Sequence, residues 1–136
     1  MKIMLDEGAF MPCRAHPYDG GLDIFAMEDQ LIPGECSVEI RTGVHLDIPK
    51  GFVGLVKSRS GLMFNQCITT DGTIDSGYIG AIKVKLFNHG IMVHKVKRGD
   101  KIAQLVIVPC LLPELELVDS LDETDRGDQG FGSTGR

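Results

Sequence analysis

No stretch of this sequence is long and apolar enough to cross a bilayer. The longest nearly apolar run, Ile102 to Leu112, is interrupted by Gln104 and Pro109. No CxxC pair occurs among Cys13, Cys36, Cys67 and Cys110, and the four histidines and four cysteines do not form a four-ligand set in the sequence. Both facts argue against a zinc site. A chain of this size needs no disulfide staples, so the thiols are expected to be free and buried. Positive charge is in deficit: 14 Lys and Arg against 19 Asp and Glu give a net charge of -5. No general field therefore draws nucleic acid, and any anionic ligand must be held by particular groups. Internal repeats, coiled-coil heptads, domain linkers and a Walker Gly-Lys-Ser/Thr are all missing. Asp6 and Glu7 fall where a signal peptide needs an uncharged apolar run, so the opening residues are expected to be ordinary folded protein of the cytosol.

What is present fits one soluble domain: 136 residues, 43% apolar and 24% charged. With 17 Gly and 6 Pro the chain is punctuated too often for long helices, and many short elements joined by turns are expected. Period-two alternation recurs at Val38 and Ile40, at Val44, Leu46 and Ile48, at Ile82, Val84 and Leu86, and at Leu115 and Leu117. Each reads as a half-exposed antiparallel strand. Ile102 to Val108 is apolar on both faces apart from Gln104 and is expected in the middle of the fold or at a subunit interface. Turns are expected at Asp19-Gly20-Gly21, Pro33-Gly34, Thr42-Gly43, Pro49-Lys50-Gly51, Asp71-Gly72, Asn88-His89-Gly90 and Arg98-Gly99-Asp100. Their spacing of about 8 to 12 residues suits an all-β sandwich, barrel or jelly roll. At most one short helix is expected, over Ser60 to Asn65.

Several segments carry side chains fit for chemistry. Phe52 to Val56 reads as a strand running into Lys57-Ser58-Arg59-Ser60-Gly61, where a guanidinium, two hydroxyls and a glycine amide make a phosphate cradle. The plainer alternative is a solvated turn with Ser60 as helix N-cap. In Asp71 to Gly80, Asp75 and Tyr78 stand three apart on a Gly-flanked hairpin, where a carboxylate beside an aromatic ring can orient water near a base or sugar; turn aspartates are also common without function. Asp23 follows a Gly-rich bend and reads equally as a metal-linked carboxylate or a turn cap. Gln104 is a phosphate or sugar contact if its end of the strand is open, and otherwise a core amide that needs partners. The last eleven residues, Arg126 to Arg136, hold four Gly and one large apolar side chain, Phe131. They read as a tail too poor in apolar surface to order alone, or as an arm that orders over a ligand.

Taken together and in order, these segments resemble the trimeric dUTP pyrophosphatases (dUTPases). The five signatures of that family are recognisable as GGLDIFA near residue 23, VGLVKSRSGL ending at residue 62, GTIDSGYIG around residue 75, GDKIAQLVIVP around residue 104 and RGDQGFGSTG at the C-terminus. The resemblance implies a jelly-roll domain over residues 1–125 with a flexible arm over 126–136, three subunits in a ring, and active sites that collect signatures from all three chains. It implies a cytoplasmic enzyme, of a bacterium or a phage-infected host, that converts dUTP to dUMP and pyrophosphate. Asp75 matches the carboxylate that activates water for in-line attack on the α-phosphorus, and Tyr78 the ring that packs on deoxyribose and excludes a 2'-hydroxyl. Backbone groups around Ile68 to Ile74, including Gly72 and Ile74, correspond to the uracil reader. Arg59, Ser60, Gly61, Gln104 and Arg126 match phosphate contacts. Phe131, Gly132 and Ser133 belong to the arm that closes over the nucleotide. Mg²⁺ is the implied cofactor, held mainly by substrate phosphates with Asp23 touching its water shell. Nucleic acid and membranes are not among the implied partners.

The sequence departs from the pattern at Gly20, at Met63-Phe64-Asn65, at Ala81 and at Lys101, none of them a proposed catalytic group. Asp75-Ser76-Gly77-Tyr78-Ile79-Gly80 also fits the related dCTP deaminases, but those need a glutamate where Lys85 stands. A protonated lysine has no acceptor for the water proton. A binding or regulatory role on the same scaffold is the reading from a different class, expected as an addition to catalysis.

Overall fold

The computed structural model describes residues 1–129. The chain folds as β1 (Lys2–Leu5), β2 (Gly21–Phe25), β3 (Gln30–Ile32), β4 (Ser37–Asp47), β5 (Phe52–Lys57), α1 (Ser60–Gln66), β6 (Ile68–Thr69), β7 (Asp71–Ile74), β8 (Ile82–Asn88), β9 (His94–Val96) and β10 (Lys101–Pro109). One four-stranded sheet has the order β1-β4-β8-β6, a second the order β2-β10-β5-β7, and β3 pairs with β9 as a small third ribbon. All pairings are antiparallel. This is an all-β sandwich of jelly-roll type with one short helix, as the composition led us to expect.

Alternation explains why the sheets close on each other. Along β8, Ile82, Val84 and Leu86 are buried and Lys83, Lys85 and Phe87 are exposed, so the strand has one core face and one water face. Ile40, Val44 and Leu46 of β4 join that core from the first sheet, and Ile24, Val56, Ala103 and Leu105 from the second. β10 lies between β2 and β5, the central place expected from its apolar composition. Asn88 ends the buried face of β8 as a polar residue, yet its amide donates to the carbonyls of Ile32, Pro33 and Met92, and its oxygen accepts from the Gly90 amide. Those bonds satisfy the buried amide and tie β8 to the β3–β9 ribbon.

Some expectations are corrected. Thr42-Gly43 is not a turn but a bulge inside β4, where the register to β8 shifts between Arg41 and Val44. Thr42 donates its hydroxyl proton to the Ile82 carbonyl there. Gly43 has φ +66, and an added Cβ would come within 2.7 Å of the Ala9 Cβ, so the bulge requires glycine. Asp71-Gly72 lies within β7 rather than at a turn, because both residues pair with β5. Nor do Asp75 to Ala81 form a hairpin tip: β7 belongs to one sheet and β8 to the other, so the segment is a corner that crosses between them. Leu115 and Leu117 lie outside any strand and are 97% and 100% exposed, because no neighbouring strand of this chain reaches them. The cysteines are free as expected but not buried: Cys13, Cys36 and Cys67 are exposed and Cys110 is intermediate. Among the described residues no helix is long and apolar enough to cross a membrane.

Candidate active site

Cross-strand register assembles the first group of candidates. Gln104 on β10 pairs with Asp23 on β2 and with Lys57 on β5, and Lys57 pairs with Asp71 on β7. Directly paired residues share a sheet face, so Asp23, Gln104, Lys57 and Asp71 form one transverse row on the face opposite the core residues Ile24, Val56 and Leu105. Asp23 is 3% exposed. Its Oδ1 accepts from Arg59 Nε at 3.2 Å and its Oδ2 from Lys101 Nζ at 2.7 Å. Arg59 Nη1 also donates to the Lys101 carbonyl at 3.1 Å. A buried carboxylate without those two cations would be strongly unfavourable, so Asp23 fixes the direction from which Arg59 reaches the surface. Asp23 lies within β2 and is no turn cap. At the exposed end of the row the Lys57 ammonium bonds Asp71 and holds its carboxyl below the usual carboxylate range.

The expected junction from strand to helix is present, but its cap is different. Arg59 occupies the N-cap position with no side-chain cap bond, and Ser60 is the first residue of α1. The Ser60 hydroxyl is thus exposed and is not consumed as a cap. A Cβ built on Gly61 meets nothing within 4 Å, so the backbone beside Ser60 is open to approach. Ser58 sets the path into this junction: its hydroxyl donates to the Thr70 carbonyl at 2.8 Å and accepts from the Thr70 amide at 2.8 Å. Gln104 is half-buried and lies against Gly21, where an added Cβ would stand 3.3 Å from the Gln104 Cβ. Beside the group is a recess of about 290 Å³ whose lining includes Arg59, Gln66, His94, Lys95 and Lys101. Arg59, Lys95 and Lys101 outnumber the one acidic residue of the lining, Asp100, so the recess favours an anion.

The second group sits at the corner between the sheets. Gly72 and Ile74 lie on β7, paired with Val56 and Gly54 of β5, and Asp75 follows with its carboxylate exposed. The Tyr78 amide donates to the Asp75 carbonyl at 3.2 Å, closing a turn in which Gly77 has φ 88. The Tyr78 hydroxyl donates to the Ala81 carbonyl at 3.1 Å. The ring lies directly over Gly80, where a Cβ would stand 2.5 Å from the hydroxyl oxygen and 2.6 Å from the carbon bearing it. Ile74, Asp75, Tyr78 and Lys83 are among the residues lining a second recess, of about 240 Å³. Lys83 is held aside by Glu39 at 2.8 Å, which raises its pKa.

One chain brings Asp23, Arg59 and Gln104 together, and separately Gly72, Ile74, Asp75 and Tyr78. It does not bring the two groups together: Gln104 lies two strands away from β7 and in register with its Asp71 end, while Asp75 lies just beyond its other end, so the two stand roughly 16 Å apart at the spacing and rise of strands. Arg126 joins neither: its Nε donates to the Gln129 carbonyl at 2.9 Å on an exposed turn. Phe131, Gly132 and Ser133 lie outside the described residues. Sequence reading missed the ion pair of Lys101, the Thr70 bonds of Ser58 and the contact of Gly80 with Tyr78. Lys101 carried a signal, since a lysine directly before the buried residues Ile102 and Ala103 of a central strand needs a counter-charge. Ser58 shows its role only through a bond to a neighbouring strand segment, and Gly80 only through the placement of the Tyr78 ring.

A protein cage for a divalent cation is absent among the described residues, where no three His, Cys, Asp or Glu side chains converge. Both oxygens of Asp23 are already engaged by cations. That donor set does not suit direct ligation; it is compatible with Mg²⁺ that arrives with phosphate and water ligands of its own.

An antiparallel jelly roll with a cationic recess, an open hydroxyl and an exposed carboxylate beside a pinned aromatic ring has the equipment of a nucleotide hydrolase. The family model for dUTPase matches residues 7–135. Deoxyuridine 5'-triphosphate nucleotidohydrolase of Gloeothece citriformis is 46% identical over 134 residues, covering 96% of this chain and 92% of that protein. The protein of the same name from Clostridium acetobutylicum is 43% identical with the same coverage. Among solved structures, a point mutant of the Staphylococcus bacteriophage 80alpha dUTPase with dUpNHpp superposes with a TM-score of 0.93 at 31% identity, over 99% of this chain and 98% of that one. A point mutant of the dUTPase from phage phi11 of S. aureus, described with a structural Mg(II) ion, gives a TM-score of 0.83 at 33% identity over 88% of this chain and 96% of that one. The chain belongs to the dUTPase family, and its activity is that of a dUTP diphosphatase.

Proposed function

We propose that the chain hydrolyses dUTP to dUMP and pyrophosphate by attack of an Asp75-activated water on the α-phosphorus, in line with the departing pyrophosphate. The observation that carries this reading is the corner itself: an exposed carboxylate, free of ion pairs among the described residues, stands beside a tyrosine ring pinned on Gly80. An ionised carboxylate accepts the water proton as the O–P bond forms, and the pyrophosphate leaves with the electrons of the broken bond. Tyr78 packs against the deoxyribose and leaves no room for a 2'-hydroxyl, while backbone groups of β6 and β7 read the uracil. Arg59, Ser60, the Gly61 amide and Gln104 hold phosphate oxygens, and Arg126, Phe131, Gly132 and Ser133 close over the bound nucleotide as an arm distinct from the domain of residues 1–125. Asp23 is the residue that would face the waters of a Mg²⁺ ion brought by the phosphates, and the ion would supply charge neutralisation there.

Because the two recesses stand apart in one chain, we infer a homotrimer in which the corner of one subunit meets the cationic recess of another. The reaction would keep uracil out of DNA and supply dUMP for thymidylate synthesis, in the cytoplasm. The test is pyrophosphate release with Mg²⁺ from dUTP, UTP, dTTP and dCTP in parallel. Release from dUTP alone is expected. Release from several nucleotides would remove the uracil and deoxyribose argument, and release from none would remove the catalytic reading.

A further inference from the structure

The Asp75–Gly80 turn is held from within by the Tyr78 amide and the Tyr78 hydroxyl, and it is also held from another strand. His45, on β4, places Nδ1 2.8 Å from the Ile79 carbonyl and Nε2 3.2 Å from Asp6 Oδ1. Ile79 lies between Tyr78 and Gly80, and its own side chain is 72% exposed, so its carbonyl rather than its side chain anchors it. We propose that His45, outside both recesses, is a positioning residue for the catalytic corner, whose imidazolium form donates to the Ile79 carbonyl and the Asp6 carboxylate together and so holds Tyr78 in place against the sugar. This rests on the reading of that corner given above.

The chemistry of the partners carries the argument. Both are acceptors, and a neutral imidazole has only one N–H. In the neutral form a lone pair must face either the carbonyl or the carboxylate, and one anchor is lost. The His45 side chain is 17% exposed while Asp6 is 39% exposed, so water can reach the freed acceptor and the lost anchor costs about one hydrogen bond of ordinary strength. Its pKa lies above the ordinary 6.5, chiefly through the bond to Ile79 and then through Asp6, with burial opposing. A raised pKa means that the doubly anchored state is complete below about 6.5 and is lost as pH rises through the higher value of the folded protein. The other ionisable groups on the surrounding elements do not substitute for Asp6. Lys2 and Asp47 pair with each other at 3.8 Å, Lys83 pairs with Glu39, and the Tyr78 hydroxyl is engaged by Ala81.

The experiment has two arms. Without nucleotide, the His45 imidazole is titrated by NMR in the wild-type protein and in Asp6→Asn, and exchange of the Tyr78 amide, which is bonded to the Asp75 carbonyl, is followed from pH 6 to 9. After correction for the intrinsic pH dependence, exchange in the wild type is expected to quicken about three- to tenfold across the imidazole titration, the worth of one hydrogen bond. The midpoint is expected to fall in Asp6→Asn. With nucleotide, His45→Leu is expected to raise KM for dUTP and lower the preference for dUTP over UTP by a similar about three- to tenfold at pH 6, with kcat largely kept. The variant's preference should then no longer change with pH. Exchange that ignores the titration, or a His45→Leu preference with the wild-type pH profile, overturns the proposal. Because the first arm uses no substrate, it judges the tether even if wild-type protein fails to turn over dUTP, an outcome that would instead remove the catalytic reading of the corner.

Discussion

At the scale of single residues, two neighbours in the corner have separable duties. Asp75 is exposed and contributes nothing to the core, so replacing it should spare folding. Asp75→Ala is expected to lower kcat by about a hundred- to ten-thousandfold, the usual contribution of a positioned base, while dUTP still binds with nearly wild-type affinity. Loss of binding in step with turnover, measured by calorimetry beside the assay, would contradict the water-activating role. Gly80 acts through the ring above it. Gly80→Ala puts a methyl where the Tyr78 hydroxyl and its ring carbon now sit, and the ring must move. Selectivity for dUTP over UTP should then fall by roughly tenfold or more, because small displacements of positioning groups are costly. A melting temperature close to that of the wild type, with selectivity reduced, is the expected pair of results.

At the scale of elements, alternation decides what can be read in advance. β8 and the two halves of β4 were legible because side-chain period and burial agree along them, and β10 because its apolar run has the length of a central strand, of which Leu105 is a good test. It is fully buried in the central strand of its sheet, so Leu105→Ala should cost about 2–5 kcal/mol in urea denaturation. That Asp75 and Tyr78 stand together was legible because an acid and an aromatic on a Gly-flanked turn are local features. What was not legible depends on partners remote in sequence. The Thr42-Gly43 bulge exists because β8 offers the Ile82 carbonyl across the sheet. The Asp75 corner was taken for a hairpin because local sequence does not say which sheet each flanking strand joins. Leu115 and Leu117 alternate as a strand should, but a strand also needs a neighbour to accept its backbone bonds, and this chain provides none. Lys101 bonds a carboxylate 78 residues earlier in the sequence, a pairing that only the register of β2 against β10 creates.

For the whole molecule, the separation of the two recesses governs the remaining expectations. Arg126 bonds within its own turn, so removing residues 126–136 should leave the melting temperature of the unliganded protein unchanged while kcat falls sharply. A large loss of stability would show that the segment belongs to the folded domain. The arrangement of subunits can be tested by complementation. Asp75→Ala and Arg59→Ala should each be nearly inactive, one lacking the base and the other a phosphate contact. If a site takes Asp75 from one subunit and Arg59 from another, subunits mixed at random in equal amounts yield about a quarter of sites with both groups intact, since each contributing chain must be of the right kind. If both groups come from the same subunit, no mixed assembly can contain an intact site. Recovery of about a quarter of wild-type activity after co-expression or joint refolding therefore supports the shared site. Activity that stays at the level of the separate variants, in assemblies verified as mixed by native mass spectrometry, would place each complete site within one chain. In that case the roughly 16 Å between Gln104 and Asp75 would have to be bridged by the nucleotide itself.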